Sequence, residues 1–147
     1  MHLWRISRHH DLSGAGGLRA PGRWHGSGSR VVYLADTPAG ALLESCVHTS
    51  AGDVPPKYPL LAVFVPDGVA VETANPGTLP ANWIDSVEVT REIGSAWLRS
   101  RRSALLRVPS ALVPATFNYL LNPLQADAVL LRIESAYEYP FDARIKK

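Results

Sequence analysis

Three residues of different chemical type stand close together early in the chain: Arg23 in GRWHGSGSR, Tyr33 in VVYLA and Glu44 in ALLESCVH. A guanidinium offers a planar donor fork that suits phosphate or carboxylate. A phenol ring offers a flat stacking wall. A carboxylate can stabilise positive charge that develops in a reaction, provided the site is poor in water. Arg5, Arg19 and Arg30 are further guanidiniums nearby, and Ser110 and Asn118 are hydrogen-bonding groups further on. Each has a plainer reading. Arg23, Arg19 and Arg30 would serve as solvated loop residues, Tyr33 as a core or edge aromatic, and Glu44 as a helix-surface charge.

The elements that must position these groups can be read from local signals. Gly22, Gly26 and Gly28 loosen the backbone around Arg23 and allow close approach to a ligand. The run Val31 to Ala35 is rich in residues that fit a pleated sheet. Thr37 followed by Pro38 predicts a helix N-cap and first helical position. Ala39, Leu42, Leu43, Cys46 and Val47 recur at helical spacing and predict its apolar face. Ala41, Glu44 and His48 share a neighbouring face. His48 reads as a helix-end residue near the negative dipole.

Elsewhere, Leu3 to Ile6 predicts a first strand, with Arg5 on the opposite pleat from Trp4. Two readings of Arg5 stay open: an edge-strand residue facing water, or a half-buried cation that needs an anionic partner. Residues 9–22 read as a Gly- and Ser-rich loop, a candidate lid. Tyr58 to Val65 predicts a strand buried on both faces. Val69 to Glu72 predicts a short strand after a Pro-Asp-Gly turn, and Trp83 a packing residue. Thr90 to Ser100 predicts a helix capped by Thr90, with Ile93, Ala96 and Trp97 on one face and Gly94 as a weak point. Ser103 to Val108 predicts a strand that delivers Ser110, and Val129 to Ile133 a final apolar strand. Asn118 and Asn122 are either ligand contacts or turn residues. Arg99, Arg101 and Arg102 form a basic patch, either a solvated face or a surface for an acidic partner.

The motifs, taken in order, resemble the RES domain family, the toxin half of a class of bacterial toxin–antitoxin pairs. They are GRW-H-x-x-G, VVYLA, ALLE-x-x-VH, GSAWL at 94–98, RVPSALVP at 107–114, NYLLNP at 118–123 and FDARI at 141–145. The resemblance implies one domain over residues 1–147. It implies an α+β fold similar to ADP-ribosyltransferases, with a mixed or antiparallel sheet and flanking helices. It also implies action on NAD, by hydrolysis or phosphorolysis at the nicotinamide bond or by ADP-ribose transfer to a protein. By position, Arg23, Glu44 and Ser110 would be catalytic. Arg5, Arg19, Tyr33 and Asn118 would join them in binding NAD, with Arg23 on the phosphates and Tyr33 at the nicotinamide end. His25 departs from the asparagine expected there, and GLRAP from a double glycine. A helical, Xre-like antitoxin with a helix-turn-helix would be the partner in a hetero-oligomer, and DNA contact would belong to it.

Composition narrows the classes. Hydrophobic residues at 46% and charged residues at 19% of 147 predict an ordered globule. A net charge of +2 gives no ground for nucleic-acid binding. No apolar run nears the roughly 20 residues that span a bilayer. MHLWRISRHH is too polar for a signal peptide, and one cysteine allows no internal disulfide, so a cytoplasmic protein is expected. Cys46 reads as a small buried hydrophobe. CxxC and HExxH are absent from the sequence, so no metal is expected. No GxGxxG follows a strand, so NAD would be a consumed substrate, with phosphate a candidate co-substrate, and no resident cofactor is expected. Two classes remain open: an NAD-consuming enzyme, and a RES-like binding module that has lost catalysis and acts through a partner.

Overall fold

The computed structural model describes residues 1–146. Seven strands form one sheet in the order β4-β5-β6-β2-β1-β3-β7. The strands are β1 His2–Ile6, β2 Val32–Ala35, β3 Lys57–Phe64, β4 Val71–Thr73, β5 Leu105–Pro109, β6 Phe117–Leu121 and β7 Arg132–Pro140. Only β4 and β5 run parallel; the other neighbours are antiparallel. Three helices flank the sheet: α1 Gly16–Arg19, α2 Pro38–Val47 and α3 Val87–Ser100. The architecture is the mixed-sheet α+β fold expected.

Strand alternation splits the core in two. Leu3, Val32, Leu34, Val63, Leu105 and Leu121 pack on one face. Trp24, Trp97, Leu106, Val108 and Leu120 pack on the other, with Tyr33 against them. Leu60 to Val63 are buried in succession, as the continuous apolar run predicts. Register carries the site residues inward: Ala35 pairs with Asn118 on β6, and Asn118 pairs with Val108 on β5.

Several expectations are corrected. Helix α2 begins as predicted, with the Thr37 hydroxyl accepting from the Gly40 N–H at 2.9 Å. Its predicted apolar face is not the buried one. Leu43 and Val47 are 41% and 50% exposed, Cys46 is only half-buried, and Ala41 is the buried residue. Ala41, Glu44 and Ser45 turn toward a cavity, which the exposed Val47 and His48 at the end of the helix also line. Helix α3 starts three residues earlier than predicted, so Thr90 is an interior, fully buried residue and not a cap. Its buried face is Thr90, Gly94, Trp97 and Leu98, while Ala96 is exposed. The apolar run at 129–133 is not a strand throughout. Ala126–Leu130 forms a 3-10 turn with Val129 84% exposed, and β7 starts at Arg132 and runs on through polar residues. Within the predicted loop 9–22 lies the short helix α1. Trp83 packs as expected, against Trp24, and Phe141 packs against Tyr58.

Candidate active site

A cavity of about 740 Å³ opens between α2, α3 and the strands β1, β2 and β6. Its walls include Arg5, Arg23, Tyr33, Glu44, Arg91 and Asn118. The size suits a ligand of several rings.

Glu44 is held in its wall by two long-range bonds. Asn118 Nδ2 donates to Glu44 Oε1 at 2.7 Å. Ser110 Oγ donates to the same oxygen at 3.4 Å. Ser110 is itself pinned where β5 ends, its oxygen accepting from the N–H groups of Leu112 and Val113 at 3.1 and 3.3 Å. The carboxylate is thus oriented by two neutral groups. Ser110 reaches the cavity through Glu44.

The loop bearing Arg23 is fastened by α3. Thr90 Oγ1 donates to the Arg23 carbonyl at 2.6 Å, and Arg91 Nε to the Gly22 carbonyl at 2.8 Å. Gly94 lies beneath the next peptide, where a Cβ would come within 1.7 Å of the Trp24 carbonyl oxygen. The glycine that weakens the helix in isolation is therefore required by close approach. Arg23 Nη1 donates to the Ile84 carbonyl at 2.8 Å, with its guanidinium 5.9 Å from the Trp83 ring.

Tyr33 turns its hydroxyl away into this loop. It accepts from the Trp24 N–H at 3.1 Å and meets His25 Nδ1 at 2.8 Å. Burial pushes the phenol up to about 12, so it stays protonated near neutral pH. Burial pushes the neighbouring His25 imidazole down.

Arg5 is half-buried, and burial lowers its pKa from the ordinary arginine value. Its polar contact is a 3.4 Å bond to the Asp11 carbonyl. Among the described residues, none of Arg5, Arg23 and Arg91 is paired with a carboxylate. Guanidiniums that line a cavity without a bonded carboxylate favour an anionic ligand, and Arg5 has only the Asp11 charge acting on it from nearby.

The structure thus gathers Arg5, Arg23, Tyr33, Glu44 and Asn118 around one cavity, with Ser110 bonded to Glu44 but not lining it. It does not bring Arg19 there: that residue is exposed at the end of α1. Arg30 lies apart too, donating to the Ser13 carbonyl. Asn122 is structural, its amide donating to the Leu98 carbonyl at 2.9 Å. Two site residues carry no local signal. Arg91 looks like any polar residue of a surface helix, and His25 like part of a flexible loop. Arg102 of the basic patch is bound to Glu72.

The model of the RES domain matches residues 2–142. The chain belongs to the RES domain family. This RES domain is 44% identical to "Toxin Res" of Pseudomonas putida over 136 residues, 91% of this chain and 92% of that protein. It is 38% identical to "Prs ADP-ribosylating toxin" of a Sphingobium species, over 97% of this chain and 95% of that one. Its fold is similar to that in the crystal structure of the M. tuberculosis MbcT–MbcA toxin–antitoxin complex. The TM-score is 0.74 at 20% identity, over 95% of this RES domain and 84% of that chain.

Proposed function

We propose that this chain is the toxin of a toxin–antitoxin pair and that it consumes NAD by breaking the nicotinamide–ribose bond. The observation that carries the reading is one cavity holding an oriented carboxylate, Glu44, together with Arg5, Arg23 and Arg91. NAD presents matching groups: an anionic pyrophosphate, a flat cationic ring, and a ribose that becomes cationic as the ring departs. In this reading the guanidiniums hold the pyrophosphate and the Tyr33 ring walls the nicotinamide. As the C–N bond breaks, its electron pair leaves with neutral nicotinamide. The Glu44 carboxylate then faces the oxocarbenium-like sugar, fixed beforehand by Asn118 and Ser110. The acceptor that completes the reaction is water or phosphate.

Purified chain incubated with NAD, with and without phosphate, tests the reading, with Glu44→Gln as control. NAD loss that needs phosphate identifies a phosphorylase, and loss without it a glycohydrolase. Intact NAD in both reactions, with no label transferred to protein, would overturn it. A second reading, ADP-ribosylation of a cellular protein, is favoured by the name of the 38%-identical relative; labelled NAD with cell extract distinguishes it.

The proposed partner is an antitoxin, by similarity to the fold of a toxin solved in complex with one. An Xre-like, DNA-binding antitoxin in a cytoplasmic hetero-oligomer is the form we propose. No helix among the described residues is long and apolar enough to cross a membrane.

A further inference from the structure

His25 is 2% exposed, yet both of its ring nitrogens have partners. Nε2 stands 3.1 Å from the Ala20 carbonyl oxygen. A carbonyl can only accept, so Nε2 carries the proton and Nδ1 is a bare lone pair. The Tyr33 oxygen already accepts from the Trp24 N–H. Its own proton therefore points to Nδ1, 2.8 Å away. The direction of every bond in the chain is fixed: Trp24 N–H to Tyr33 O, Tyr33 O–H to His25 Nδ1, His25 Nε2–H to Ala20 O. The loop closes on itself through the Gly22 N–H, which donates to the His25 carbonyl at 3.1 Å. Gly22 makes room for the cluster: a Cβ there would stand 2.4 Å from the Tyr33 oxygen and 3.0 Å from His25 Nδ1.

We infer that His25 is a positioning residue: as a neutral imidazole it anchors the Tyr33 hydroxyl and so sets the Tyr33 ring, and the loop that carries Arg23, against the cavity. Protonation reverses the polarity of one link. Nδ1 then carries a proton of its own, two donors aim at the Tyr33 oxygen, and the phenol proton loses its acceptor. Burial opposes that protonation most strongly, and the cationic Arg91 on α3 adds to it. The backbone groups of Ala20 and Gly17 act the other way, favouring the charged ring, and burial outweighs them. Tyr33 on β2 is neutral and donates to Nδ1. The cluster thus works when His25 is neutral and loosens on acidification. This deepens the NAD reading for the activity readout, while the bonding itself can be tested without NAD.

The bonding test follows the imidazole nitrogens of His25 by NMR in the full chain, from about pH 8 to about pH 5. The expected result is the Nε2–H tautomer, with a midpoint below the ordinary 6.5. In Tyr33→Phe, which cannot donate to Nδ1, the midpoint rises. An Nδ1–H tautomer, or the same midpoint in Tyr33→Phe, would overturn the inference. The activity test compares pH profiles of NAD loss in wild type and His25→Asn, whose amide can meet the tyrosine hydroxyl but does not titrate in this range. We expect the acid limb of kcat/KM to move to lower pH in His25→Asn. We expect His25→Leu to lose roughly tenfold in kcat/KM at pH 8, as for one lost hydrogen bond. An identical acid limb in wild type and His25→Asn would remove His25 from the positioning role. If wild type left NAD intact, the proposed function would fall, and the NMR titration would still decide the inference about His25.

Discussion

At the residue scale, the carboxylate and the guanidiniums divide the work differently, and single substitutions separate them. Glu44→Gln keeps shape and the acceptor for Asn118 and Ser110 but removes the charge that faces a developing cation. The expected loss in turnover is on the order of 10²–10³, typical for a preorganised electrostatic group. NAD consumption is the measurement, and an unchanged circular dichroism spectrum shows that the fold survives. Full activity would move catalysis away from Glu44. Arg91→Ala removes a cavity-lining residue whose guanidinium Nε is committed to the Gly22 carbonyl. We expect KM for NAD to rise about tenfold with a smaller change in kcat, since a phosphate contact is made in ground and transition state alike. Arg19→Ala, a residue outside the cavity, serves as the comparison and is expected to leave KM unchanged.

At the element scale, α3 acts as the clamp of the Arg23 loop, and Gly94 is its closest contact. Gly94→Ala gains about 1 kcal/mol of helix propensity. It also drives a methyl group into the Trp24 carbonyl, and overpacking against backbone costs about 1–3 kcal/mol or more. The expected sign is destabilisation, read as a lower urea midpoint at an unchanged slope. A higher midpoint would show that the loop can move off the helix. The same two helices explain what could be read from sequence. The start of α2 was legible because Thr37 and Pro38 act locally. Its buried face was not, because the helix lines a cavity: Glu44 and Ser45 turn in, Leu43 turns out, and apolar periodicity points the wrong way. Thr90 resembles a cap in sequence, and only the loop 67 residues away makes its hydroxyl an interior donor. Strand β7 was missed beyond Ile133 because an edge strand keeps exposed, polar side chains and shows no buried period. Of the candidate residues read from the ordered motifs, Arg5, Arg23, Tyr33, Glu44 and Asn118 meet at the cavity and Arg19 does not, whereas Arg91 and His25 depend on contacts between separate elements.

At the scale of the whole molecule, the sheet and its helices form a scaffold that holds unpaired positive charge around a cavity. A molecule with a net charge of only +2 has concentrated three guanidiniums there. Like charges gathered in this way repel one another, and an anionic ligand placed among them is expected to stabilise the fold. The consequence is measurable as heat stability. With Glu44→Gln, which should bind NAD without consuming it, a ligand concentration about 100 times Kd adds about 2.7 kcal/mol. For a chain of this size, that raises Tm by roughly 5–10 °C. ADP-ribose, which keeps the pyrophosphate but lacks nicotinamide, should give most of the same shift, because the proposed reading has the guanidiniums hold the phosphates. Added salt should reduce it for both ligands, since the cavity is open to solvent and its charges are partly screened. A shift with NAD but none with ADP-ribose would place the main binding contacts at the nicotinamide end, around Tyr33, and take the pyrophosphate away from the arginines.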